Sequence, residues 1–175
     1  MMMIRWLRYG CAISIILLFS CGWWSQSPSP KQTRGTSRPV LVGWLNEEQL
    51  MRALPAYVQG KATYEPDAEA VAALQKLTAE IEVLVFLGTW CPDSEREVPR
   101  FLKIMELVQN RNIHYRLLGL DRTKRDAGGV AEKYAIQFVP TFVVLQQDRE
   151  LGRIVEQAMV SLEDDLVEIL AATEE

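Results

Sequence analysis

From residue 40 onward the apolar positions alternate between short unbroken runs and periodic stripes. Val83-Leu84-Val85-Phe86-Leu87 is a continuous apolar run of strand length, the pattern of a strand covered on both faces. Val98, Phe101, Leu102, Met105 and Val108 then recur at the 3.6-residue period and predict a helix with one buried stripe. Pro99 falls inside that stripe and predicts a kink. Upstream, Asn46 to Leu54 predicts a short helix that Pro55 ends. Val71, Leu74 and Leu77 predict another, with Asp67 as its side-chain cap. Downstream, Ile113 to Leu120 predicts a strand and Ala131 to Ala135 a short helix. Phe142 to Leu145 and Leu151 to Val155 flank Gln147-Asp148-Arg149-Glu150 as a hairpin, although no Gly or Asn marks the turn. Ser161 and Asp164 resemble a capping box ahead of a last helix whose inner face is Leu162, Leu166, Ile169 and Leu170. The predicted order is α-α-β-α-β-α-β-β-α, an α/β chain with two crossovers and a closing hairpin.

The first 39 residues have a different texture. Arg5 and Arg8 precede an apolar segment from Ala12 to Phe19, the layout of a secretory signal and too short for a spanning helix of about 20 residues. Leu18-Phe19-Ser20-Cys21 resembles the lipobox of bacterial lipoproteins, which implies acylation at Cys21 and a mature chain beginning there. Gly22 follows, with no acidic residue directly after it, which favours outer-membrane sorting in such proteins. Residues 22–39 are rich in Ser, Pro, Gln and Thr, lack a hydrophobic period and predict a disordered tether, with Trp23 and Trp24 suited to a lipid interface. The organisation expected is therefore a signal peptide with lipobox over 1–21, a tether over 22–39 and one domain over 40–175. Its expected place is the bacterial cell envelope, outside the cytoplasm, lipid-anchored and facing the periplasm.

Composition adds exclusions. With 49% hydrophobic and 24% charged residues, the 175-residue chain suits a single domain plus an appendage. Its formal charge of -4 argues against a nucleic-acid partner, which would require a basic face. One histidine, His114, sits in a strand pattern and reads as a surface or edge residue. The residue types supply no metal site and call for no cofactor.

Cys91 concentrates the candidate chemistry. It lies in Gly88-Thr89-Trp90-Cys91-Pro92-Asp93-Ser94, directly after the apolar strand, and so at a strand-to-helix junction. Pro92 suits the first helical position, where no N–H is needed. Unpaired N–H groups and the positive end of the helix dipole favour an anion at the Cys91 position. Ser94, one turn along, is placed to donate its hydroxyl to that sulfur, whereas the charge of Asp93 opposes a second negative charge. Trp90 reads as a wall beside the thiol. Asp121, after the second strand, either contacts substrate on the same sheet edge or starts a turn.

The order of elements, the turn Trp90-Cys91-Pro92-Asp93-Ser94, the helix proline Pro99 and the segment Val139-Pro140-Thr141 together resemble the thioredoxin-like family over roughly 67–170. The resemblance implies a thioredoxin-like fold: a central mixed sheet flanked by helices, with a closing hairpin and a C-terminal helix. It also implies that Pro140 is cis and faces Cys91, and that Trp90, Pro92, Val139, Pro140 and Thr141 line a substrate groove. Two departures bear on activity. Ser94 stands where the family's resolving cysteine is found, and Val85 where thioredoxin has a buried aspartate.

Two functions remain open on the sequence. In the first, Cys91 forms mixed disulfides with protein or small-molecule thiols, with Ser94 stabilising the sulfur anion. An external thiol reductant then releases them, because the domain carries no second thiol. In the second, the fold is a non-catalytic binding module, with covalent dimerisation through Cys91 as a variant.

Overall fold

The computed structural model describes residues 38–172. The expected leader, the lipidation site Cys21 and the tether up to residue 37 lie outside these residues. Eleven elements follow one another: β1 (Gly43–Leu45), α1 (Glu47–Ala53), α2 (Pro55–Thr63), α3 (Ala68–Lys76), β2 (Ile81–Leu87), α4 (Pro92–Val108), β3 (Ile113–Gly119), α5 (Val130–Lys133), β4 (Thr141–Gln146), β5 (Arg149–Val155) and α6 (Leu162–Ala171). The sheet order is β1-β3-β2-β4-β5. β2 and β3 are parallel, while β1, β4 and β5 each run antiparallel to their neighbours. This is the expected α/β architecture with a central mixed sheet.

β2 is central, and its alternate residues feed two cores. Val83, Val85 and Leu87 join Phe101, Phe142 and Leu166 on the side of α4 and α6. Leu84 and Phe86 join Val143, Ala131 and Cys91 on the side of α5. Period-two alternation between two covered faces explains why the strand is apolar throughout.

Three local expectations need correction. Pro55 does not simply end a helix: Leu54 closes α1 and serves as the N-cap of α2, with Pro55 in the first turn. A proline breaks the preceding hydrogen-bond ladder yet fits a helix start, so one residue performs both roles. Strand β1 has only three residues and no hydrophobic run, so tertiary pairing with β3 creates it. The hairpin turn is shorter than predicted, because β5 begins at Arg149. Gln147 and Asp148 have φ of 50° and 64°, the two positive angles of a type I′ turn that the strand twist favours.

Helix starts follow their caps. Asn46 and Gln49 form a reciprocal capping box on α1, Asp67 accepts from the Glu69 and Ala70 N–H groups, and Ser161 accepts from the Asp164 N–H. Pro99 lies within α4 and is packed closely enough against α2 that a Cβ on Gly60 would lie 3.2 Å from its ring.

Candidate functional site

Cys91 is the N-cap of α4, at the end of β2. Its backbone N–H donates to Gly88 O at 2.8 Å and its carbonyl accepts from Glu95 N at 3.0 Å, so a tight turn delivers the thiol to the helix start. No side chain caps α4, and Pro92 in the first turn is exposed. The amide donors of that turn therefore point towards the sulfur end of the helix without a side-chain acceptor.

Cys91 is buried, at 7% exposure, and is more enclosed than its junction position in the sequence suggests. Its Sγ lies 3.2 Å from the Val139 carbonyl oxygen, to which it donates. The Val139–Pro140 peptide bond is cis. The sulfur thus faces the segment that the sequence resemblance pairs with it.

Ser94 departs from expectation. It is fully buried, and its Oγ accepts a hydrogen bond from the Gly88 N–H at 3.1 Å; the hydroxyl's bond is to the turn, not to the sulfur. Helix α4 directs this side chain back beneath the loop that precedes it. Asp93 forms an ion pair with Arg96 at 2.8 Å.

Trp90 is half-buried and is held by its Nε1–H, which donates to Leu120 O at 3.1 Å. A Cβ on Gly88 would lie 2.8 Å from the indole, so the ring lies directly over that glycine. Arg122 sits over the Trp90 ring, 5.6 Å from its centroid.

Across the thiol, Val139, Pro140 and Thr141 are all buried. The Thr141 hydroxyl donates to Phe138 O at 2.8 Å and braces the loop from inside. The exposed side chain of this segment is Phe138, at 47%. The next loop starts on the Pro140 carbonyl, which accepts from Glu156 N at 2.7 Å, and presents Met159 at 94% and Val160 at 79% exposure. Asp165 fixes that loop by accepting from both of those N–H groups.

Asp121 starts a turn, its Oδ1 accepting from the Thr123 N–H and hydroxyl and from the Arg125 N–H. These donors hold its carboxyl below the usual range, the Arg125 N–H most strongly. His114 is exposed on β3. Among the described residues no group of three or more His, Cys, Asp or Glu is placed to hold a metal ion.

Three further residues carried no local sequence signal. Thr89, fully buried, donates to Pro39 O at 2.6 Å and accepts from Leu41 N at 3.1 Å. Arg38 reaches Glu95 at 2.9 Å, so the segment before β1 is fastened to the first turn of α4. Tyr57 of α2 is fully buried, and its hydroxyl has no hydrogen-bond partner among the described residues. Burial, reinforced by Glu95 and Cys91 against the opposing charge of Arg38, pushes its ionisation well above the ordinary tyrosine range.

A family model described as thioredoxin matches residues 47–168. The chain belongs to the thioredoxin family. No match is found among curated proteins. Among solved structures, an HIV epitope scaffold is 18% identical with a TM-score of 0.53, the alignment covering 74% of this chain and 87% of that one. A protein of unknown function from Pseudomonas aeruginosa is 22% identical over 73% of this chain and 74% of its own, with a TM-score of 0.49. Thioredoxin f from spinach chloroplast is 18% identical over 61% of this chain and 93% of its own, with a TM-score of 0.42. The thioredoxin-family model spans both the Cys91 turn and the Val139–Pro140 segment.

Proposed function

We propose that this chain is a thiol–disulfide exchange protein that works through one cysteine, Cys91. The observation that carries the reading is the placement of the Cys91 sulfur at an uncapped helix start, 3.2 Å from the Val139 carbonyl. A nucleophilic sulfur needs that combination: donors to stabilise the anion and a backbone edge beside it to align a partner chain.

In the exchange, the Cys91 thiolate attacks one sulfur of a partner disulfide. A bond forms between Cys91 and that sulfur, the partner's S–S bond breaks, and the departing thiolate takes up a proton. A second thiol then attacks the mixed disulfide and returns Cys91 as thiolate. When that thiol belongs to the same partner, the result is isomerisation with no net electron transfer. When two external thiols act in turn, the partner is reduced by two electrons and they become a disulfide. Ser94 supports the turn from beneath, through Gly88. Phe138, Met159 and Val160 provide exposed apolar surface suited to a protein partner.

The sequence pattern at residues 1–39 supports placing this activity outside the cytoplasm, on a bacterial envelope membrane, with lipid at Cys21 and residues 22–39 as the link to the domain. Among the described residues no helix is long and apolar enough to cross a membrane.

The low exposure of Cys91 favours a second reading, a binding module whose groove holds a partner without chemistry. One experiment separates them. The full chain carrying Cys11→Ser and Cys21→Ser is incubated with a disulfide-bonded peptide, and adducts are read by mass spectrometry before and after adding an external thiol. Exchange predicts an adduct on Cys91 that the thiol releases and that Cys91→Ser abolishes; absence of any adduct leaves the binding module.

A further inference from the structure

The loop joining β3 to α5 carries Arg122, Lys124 and Arg125 on a chain whose formal charge is -4. Neither carboxylate within it forms a salt bridge to these cations, although the Arg125 charge acts on Asp121. Asp121 is engaged by Thr123 and the Arg125 N–H, and Asp126 accepts from the N–H groups of Gly128, Val130 and Ala131. Among the described residues none of the three cationic heads takes part in a salt bridge. Arg122 and Arg125 are exposed, and Lys124 and Arg125 line a cavity of about 600 Å³ that Asp126 and Glu132 also border.

This loop is tied to the thiol by covalent and hydrogen-bonded steps. Trp90 precedes Cys91 and is pinned to Leu120 O, and Arg122, two residues further on, lies over its ring. Asp93, the acid nearest Cys91 in sequence, already has Arg96 as its partner. A partner lying across Cys91 therefore meets the Phe138–Pro140 segment on one side and, past Trp90, the loop that carries the three cations.

We propose that the disulfide partner of Cys91 is a polypeptide with acidic residues flanking its reactive cysteine, read by Arg122, Lys124 and Arg125. The inference rests on the exchange reading of Cys91 and adds the charge class of the substrate. Cations beside a reacting sulfur raise the encounter rate of acidic partners by about 10-fold or more at low salt, an advantage that salt removes.

The test uses the full chain with Cys11→Ser and Cys21→Ser in nonionic detergent. Three peptides, identical except for Glu, Gln or Lys on both sides of one cysteine, carry that cysteine as a mixed disulfide with thiopyridine. Attack by Cys91 joins it to the peptide sulfur and releases pyridine-2-thione, whose absorbance gives the rate. The Glu peptide is expected to react about 10-fold faster than the Lys peptide at low salt, with the ratio falling towards one at high salt. Combining Arg122→Gln, Lys124→Gln and Arg125→Gln is expected to bring the ratio of the Glu to the Lys peptide rate to about one at low salt. Equal rates for all three peptides, or a ratio that survives the triple variant, overturn the proposal while leaving exchange intact. Equal rates, with loss of binding to anionic vesicles in the triple variant after detergent removal, assign the cations to a lipid surface instead. No reaction with any peptide removes the exchange reading, and this inference with it.

Discussion

The Ser94 hydroxyl oxygen accepts a hydrogen bond from the Gly88 N–H at 3.1 Å, so the residue three positions after Cys91 is spent on holding the turn that delivers the thiol. Ser94→Ala removes the acceptor inside a fully buried site and is expected to destabilise the domain by about 1–3 kcal/mol, measured by urea denaturation. Ser94→Cys puts a thiol three residues after Cys91, at the position where the family's resolving cysteine is found. That variant is expected to release a mixed disulfide on its own, without external thiol, as seen by the lifetime of the Cys91 adduct.

Tyr57 yields a prediction of opposite sign. Because its buried hydroxyl has no partner among the described residues, Tyr57→Phe deletes a desolvated polar group and breaks no hydrogen bond there. Stability is expected to stay level or rise by about 1 kcal/mol in the same denaturation assay. A loss of 2 kcal/mol or more would mean that the hydroxyl is satisfied in solution.

Gly119 keeps the segment before β1 against the sheet. A Cβ there would lie 2.4 Å from the Leu41 carbonyl oxygen and 2.9 Å from Leu45 Cδ1, and the first of these is backbone. Gly119→Ala is expected to cost about 1–3 kcal/mol and to lift the chain from Thr89. Faster amide exchange at Leu41, whose N–H donates to the Thr89 hydroxyl, reads that release directly.

Acid weakens the loop that carries the cations. Burial tends to raise the Asp126 pKa, but the N–H groups of Ala131, Val130 and Gly128 outweigh it and lower the pKa from the ordinary 3.8. A carboxylate depressed in the folded state contributes stability above its unfolded pKa and loses it as pH falls through the folded value. Asp126→Asn is therefore expected to be less stable than the parent at neutral pH, with the difference closing below about pH 4, followed by urea denaturation across pH. Tyr64 acts at the alkaline end: burial and its hydrogen bond to Glu163 raise its ionisation, so that contribution is lost as pH rises above about 10.

Much of this molecule was readable in one dimension, because repeating side-chain periods and caps act over a few residues. The unbroken run at β2, the stripe of α4, the capping groups Asp67 and Ser161, and the motif around Cys91 are all local patterns, and each appears where the pattern places it. The sequence alone also determined that the domain carries a single thiol, since residue identity needs no coordinates. Tertiary packing decided the rest. β1 exists because β3 pairs with it, Arg122 reaches Trp90 because Leu120 anchors the indole, and Ser94 turns to Gly88 because α4 aims it inward. The enclosure of Cys91 against Val139, 48 positions away, is of the same kind: burial and hydrogen-bond choice depend on which distant segments meet, and no local period encodes that meeting.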